Sequence, residues 1–300
     1  MNDDFNNAKG FGEILDHTFR LSKNKFADFF LILLIFMGPI YLIQAIFQLL
    51  AGTSFFREIG GGSNWFEQVT SSFEQPTTTS SPIENIGLFF VGLASIILFP
   101  VAQAAVMYAI ENIRKNETFT ISSVIKRAFS RFWPIFGSSL LFAVIVFGLI
   151  FVPLIIVILV GVLGTMNNPI VGIITAIVLF LGFTIGLGLL ITRWSFYFGA
   201  VVIDKEAPGL SRSWQLSKKR TWISFGLYIV FFLIIGVVSG VLELIFSALL
   251  GNSVLMSMIV NLISIVTTLF LSVGYAIMYF DLKIRHDGED LQEMLDEYKN

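Results

Sequence analysis

Long apolar runs alternate along this chain with short polar stretches, and the runs set its architecture. A bilayer core of about 30 Å is crossed by about 20 apolar residues at 1.5 Å per residue. Six runs reach that length, with approximate limits Phe26 to Ala51, Ile86 to Ile110, Trp133 to Leu163, Pro169 to Thr192, Trp222 to Leu250 and Val254 to Phe280. The pattern predicts an all-α polytopic bundle of six transmembrane helices. It divides into an N-terminal segment 1–25, a membrane domain 26–280 and an acidic tail 281–300. The first run follows 25 mostly polar residues, is too long for a signal-peptide core and lacks a small-x-small site behind it, so it reads as an uncleaved span.

The polar stretches between spans carry their own periodicity. Ile121, Val124, Ile125, Ala128, Phe129 and Phe132 form one helical stripe, with Lys126, Arg127 and Arg131 away from it and Thr120 placed as N-cap. Phe11, Ile14, Leu15 and Phe19 form a similar stripe, with His17 on its polar side. Both predict interfacial helices lying in the headgroup layer, where basic residues meet anionic lipid.

An internal repeat accompanies them. Leu15-x3-Phe19-x-Leu21-Ser22-Lys23-x-Lys25 aligns without gaps on Leu210-x3-Trp214-x-Leu216-Ser217-Lys218-x-Arg220. A weaker third copy, Phe129-Ser130-Arg131, keeps the hydrophobic-Ser-basic core. The chain then consists of three units, each a short interfacial helix followed by a transmembrane hairpin.

Composition and charge sharpen this picture. The chain is 55% hydrophobic and 13% charged, far from the roughly one-quarter charged content of soluble proteins. Of its 19 Lys and Arg, 18 fall in the segments 1–25, 111–132, 192–221 and 281–300, and the other is Arg57. Positive charge stays on the cytoplasmic side during insertion, so both termini are expected there, in a plasma membrane. The interfacial segments 111–132 and 193–221 share that side, and the turns around Asn167 and Asn252 lie opposite. Loop 52–85 also lies outside; Gly60-Gly61-Gly62 and the Ser, Thr and Pro from Ser71 to Pro82 predict a flexible loop, with Trp65 and Phe66 near the membrane surface.

Polar groups inside spans are functional candidates. Gln44, Gln48, Glu243 and Asn261 define a candidate polar pocket toward the outer side, and Gln103 stands on the second span. Lys126, Arg127, Arg131, Lys218, Lys219, Arg220 and Arg285 are the candidate contacts to lipid or to a protein partner. Gly182-x3-Gly186, Gly188 and Gly236-x3-Gly240 are expected to let helices approach closely. Pro39, Pro100 and Pro153 are candidate kinks.

Enzyme chemistry has little material here. The chain has no Cys and two His, and it lacks metalloprotease, nucleophile-elbow, dinucleotide and Walker motifs. No catalytic residue, metal site or cofactor is expected. His286 with Asp287, Glu289 and Asp290 lacks the enclosing ligands of a cation site. Leu291, Met294, Leu295 and Tyr298 predict a short amphipathic tail helix. Nucleic-acid binding finds no support, because the basic residues are spent on membrane flanks.

The end of the last span and the tail, Tyr279-Phe280-Asp281-Leu282-Lys283-Ile284-Arg285-His286-Asp287-Gly288-Glu289-Asp290-Leu291, resemble a closing motif, aromatic-Asp-Leu-Arg-x-Arg-x-x-Gly-x-Asp-Leu. That motif belongs to the membrane domain of some bacterial glycerophosphoryl diester phosphodiesterases. The opening Phe11-Gly12-Glu13-Ile14-Leu15-Asp16-x-x-Phe19-Arg20-Leu21 is similar to the same family's entry segment. The resemblance implies a polytopic bacterial plasma-membrane protein. It does not carry hydrolysis over, since in that family the reaction belongs to a separate barrel. His286 and Asp287 depart from the motif. The expected function is a non-enzymatic scaffold or partner subunit at the cytoplasmic face. The alternative is a transporter or channel for a small polar or amphipathic solute such as a glycerophosphodiester, built around the outer polar pocket.

Overall fold

The computed structural model describes residues 5, 7–57 and 81–297, and among these the only regular structure is helical. The helices are α1 Phe11–Asn24, α2 Phe26–Leu50, α3 Pro82–Lys115, α4 Ile121–Ser130, α5 Phe132–Asn167, α6 Pro169–Ser195, α7 Leu210–Ser217, α8 Thr221–Leu250 and α9 Val254–Glu297. Past α6 the chain continues through a helical turn Tyr197–Gly199 into a π turn Ala200–Asp204. The fold is an all-α polytopic bundle, in which α2, α3, α5, α6, α8 and α9 are long and apolar enough to cross a membrane. These six spans make the chain a multi-pass membrane protein. None of the most hydrophobic 18-residue window of α5 is buried, and Phe147 is 66% exposed. Apolar surface on this scale fits lipid as its solvent rather than water. The glycine-rich part of loop 52–85, with Trp65 and Phe66, lies outside the described residues, as do the side chains of Leu291, Met294 and Leu295, and Tyr298.

Two compact units share the chain: Met1–Glu13 with Arg131–Ile229 and Ala276–Asn300, and Ile14–Ser130 with Val230–Tyr275. In the first, α5 and α6 form a hairpin closed by Asn168, whose Oδ1 accepts from the backbone N–H of Ile170 and Val171. Close approach at this turn needs glycine on both sides. A Cβ on Gly172 would lie 2.3 Å from the Thr165 nitrogen, and one on Gly164 would lie 2.9 Å from Gly172 Cα. Helix α7 packs on α6, where the Ser213 and Ser217 hydroxyls donate to the Arg193 carbonyl at 2.7 and 3.1 Å.

In the second unit α2 and α3 pack along each other and α4 lies on α3. Phe29, Ile32 and Leu33 of α2 are fully buried, as are Val101, Ala102, Ala104 and Ala105 of α3. A reciprocal capping box starts α4: Thr120 Oγ1 accepts from the Ser123 N–H, and Ser123 Oγ from the Thr120 N–H. The segment after α2 serves the turn between α8 and α9. Carbonyls of Ser54 and Phe55 accept from the first amides of α9, Val254 and Leu255. Arg57 Nη1 donates to the Ala248 carbonyl at 2.7 Å, so the one basic residue outside the four basic segments caps the end of α8.

The repeat is visible in burial. Thr18, Ser22, Phe29 and Ile32 are buried; so are Val124, Ala128, Ile135 and Ser138, and again Ser213, Ser217, Ser224 and Leu227. Each set runs i, i+4, i+11, i+14. Each also spans a helix break at a basic residue: Lys25, Arg131, and the turn Lys218–Lys219–Arg220. The first and last copies keep the sequence alignment. The middle copy shifts by two residues, since Ala128 rather than Ser130 occupies the place of Ser22, and Phe129 is 47% exposed.

Two further expectations are corrected. His17 is buried, not on a polar face, because the packed side of α1 is Ile14, Thr18, Leu21 and Ser22, while Phe11 and Phe19, the latter against Phe270, stay partly exposed. A Cβ on Gly182, Gly186, Gly236 or Gly240 would meet nothing within 4 Å, so these glycines do not bring helices together. Gly188 does meet the expectation, since a Cβ there would lie 2.6 Å from Phe225 Cε2 of α8; other intimate glycines include Gly164, Gly172 and Gly199, the last with a notional Cβ 2.2 Å from Tyr279 Cδ2.

Candidate functional site

Each hairpin ends on an acid that follows an aliphatic or aromatic residue: Ile110-Glu111, Ile203-Asp204 and Phe280-Asp281. All three carboxylates are buried, with side-chain exposures of 8%, 8% and 3%. A buried carboxylate is tolerated only when paired, and each of these holds several cations or donors.

Glu111 binds Lys115 on its own helix at 2.7 Å and Arg127 of α4 at 2.8 Å. The same guanidinium stacks on Tyr108, 4.0 Å from the ring centroid. Asp204 accepts from Tyr279 Oη at 2.6 Å, pairs with Lys283 and lies 3.4 Å from Arg212 of α7. Arg212 reaches on to Asp287 at 3.7 Å. Asp281 accepts from the Lys9 amide at 2.6 Å and from Arg220 and Arg285, both at 3.1 Å. The two arginines also donate to the Lys9 carbonyl, which ties the N-terminal segment to α9. Burial, followed by the nearby Arg285 charge, pulls the Arg220 pKa below its ordinary value, and Asp281 opposes both.

The closing motif acquires a physical meaning here. Asp281 and Arg285 are one turn apart and face one network; Tyr279 and Lys283, offset by two residues, face the other. Helix α9 runs through the motif without a break, so the end of the last span presents both faces rigidly.

The remaining basic candidates divide by role. Lys126, Lys218 and Lys219 are exposed, whereas Arg127, Arg220 and Arg285 serve the buried carboxylates. Arg131 donates to the Lys205 carbonyl at 3.4 Å. Lys218, Lys219 and Arg220 line a cleft of about 540 Å³ with Arg193, Trp214 and Trp222. Arg193 stacks 4.2 Å from the Trp214 ring centroid, and its Nε donates to Thr221 Oγ1 at 3.2 Å.

The outer polar residues are only partly gathered. Asn261 Nδ2 donates to Gln44 Oε1 at 3.1 Å, and Gln48 Nε2 donates to Ser257 Oγ at 3.1 Å. These bonds link α2 to α9. Glu243 is exposed on α8 and has no ion pair or hydrogen bond among the described residues. Asn261 also borders a groove of about 530 Å³ with Pro39, Tyr41 and Met258.

Sequence reasoning missed Glu111, Asp204, Arg193 and Trp214. The available signal was the recurrence of an acid directly after the apolar end of every second span. Among the described residues no group of three or more His, Asp or Glu is placed to hold a metal ion. Compared with known proteins, the chain matches no family model, no curated protein and no solved structure.

Proposed function

We propose that this is a non-enzymatic integral protein of a bacterial plasma membrane, with both termini cytoplasmic, serving as a scaffold or partner subunit at that face. The supporting observation is where the charged chemistry concentrates. Glu111, Asp204 and Asp281 lock α4, α7 and the N-terminal segment into place and leave Lys126, Lys218 and Lys219 exposed for binding. The distribution of Lys and Arg supports the orientation, and the likeness to the phosphodiesterase membrane domain supports the bacterial setting. The test is mass spectrometry of the full chain captured in native lipid nanodiscs from its host. A stoichiometric protein that is lost on charge reversal of Lys126, Lys218 and Lys219 upholds this reading; a bound solute with no protein partner overturns it.

One observation favours a second reading, a transporter or channel for a small polar or amphipathic solute such as a glycerophosphodiester. The groove beside Pro39 is apolar except for a few polar groups, Asn261 among them. Solute uptake into proteoliposomes that is abolished by Asn261→Leu would establish it.

A further inference from the structure

We propose that the basic cleft between α6 and the α7–α8 turn is a binding site for one anionic phospholipid, its phosphate held by Arg193, Lys218 and Lys219 and its chains lying along α6. The inference rests on the reading that the basic end is where this protein works, and it names the ligand of that end.

Charge is the first argument. Arg193, Lys218, Lys219 and Arg220 line one cleft, and among the described residues no Asp or Glu lines it. Arg220 also pairs with Asp281 at 3.1 Å. Arg193 is held flat by Trp214 and oriented by Thr221, which is the pre-organised planar donor that phosphate recognition uses. The two exposed lysines add flexible point charges. A volume of about 540 Å³ falls within the about 300–1,000 Å³ typical of small-molecule sites.

Shape is the second argument, and it selects a lipid over a soluble phosphate. Below the cations the walls are Gly186, Leu189 and Leu190 of α6 and Ile223 of α8, all inside segments able to span the bilayer. A Cβ on Gly186 would meet nothing within 4 Å, so the wall is open there for a chain to pass. Trp222, 67% exposed beside the cations, sits at the level where Trp prefers the headgroup boundary.

The third argument is a broken repeat. The other two breaks between interfacial helix and span are single residues, Lys25 and Arg131, whereas here the turn takes three. Packing of the repeat therefore does not account for the extended basic turn, and binding an anion does.

The test uses the full chain in phosphatidylcholine nanodiscs doped with phosphatidylglycerol, read by native mass spectrometry. One phosphatidylglycerol should be retained per chain in preference to phosphatidylcholine, and inorganic phosphate should not displace it. Lys218→Gln with Lys219→Gln should weaken retention about 30-fold, and Lys23→Gln, an exposed lysine of α1, should leave it unchanged. Equal retention of phosphatidylcholine, displacement by inorganic phosphate, or indifference to the double substitution overturns the site. Protein partners are scored separately, on the full chain captured in native lipid nanodiscs from its host. Selective lipid without a partner upholds the cleft and removes the scaffold reading; a partner without selective lipid removes the cleft alone.

Discussion

Tyr279 donates its hydroxyl to Asp204 at 2.6 Å, joining the end of the fourth span to the end of the sixth across 75 residues of sequence. Lys283 and Arg212 share the same carboxylate, so the phenol is one support among three. Tyr279→Phe should cost about 1–3 kcal/mol. Asp204→Asn removes the charge that all three depend on and should cost about 3–5 kcal/mol. Chemical denaturation in detergent, followed by tryptophan fluorescence, separates the two. Equal effects would mean that the hydroxyl, not the ion pairs, carries this joint.

Glycine substitutions should divide by location rather than by motif. Gly172→Ala places a methyl group against the Thr165 backbone, which has nowhere to go, and should cost about 1–3 kcal/mol or more. Gly182→Ala and Gly236→Ala enter open space and should change stability by less than about 0.5 kcal/mol. Thermal unfolding of the three variants in one detergent is sufficient to check this, and a destabilised Gly236→Ala would contradict the assignment.

The Gln44–Asn261 bond should be worth about 0.6 kcal/mol, and at most about 1.7 kcal/mol. A double-mutant cycle with Gln44→Leu and Asn261→Leu measures it directly. Glu243→Gln should leave stability unchanged, because the carboxylate is exposed and has no partner among the described residues.

Orientation is testable on this cysteine-free chain. Single cysteines at Lys218 and Lys126 should react with an impermeant maleimide only after the cells are opened, and one at Asn252 should react on intact cells. Labelling of position 218 from outside would invert the proposed topology.

The spans were legible from the sequence because hydropathy and length are local properties, readable in a single window. What meets what was not. An acid directly after an apolar run reads as a solvated flank, and nothing near Glu111 in the sequence announces that Arg127 folds back onto it. The small-xxx-small pattern misled for a related reason: the spacing gives a helix a smooth face but does not say whether another helix occupies it, and at Gly182 and Gly236 none does. In α1 the amphipathic rule was inverted by the solvent. Where lipid surrounds the protein, Phe11 and Phe19 lose nothing by staying partly exposed, while Thr18, Ser22 and His17 have reason to turn inward. The repeat was readable where serine and basic residues coincide, as between Ser22 and Ser217. It slipped by two residues where the middle copy uses Val124 and Ala128 for the same packing.

The π turn Ala200–Asp204 gives the fourth span a helical phase of its own. An α-helix advances 100° per residue, and a π turn absorbs one surplus residue without breaking the helix. Deleting a single residue there would restore the plain α phase and swing Asp204 about 100° away from Tyr279 and Lys283. One surplus residue thus sets the compass bearing of a buried charge, and with it which side of the bundle's rim the chain after α6 can be fastened to.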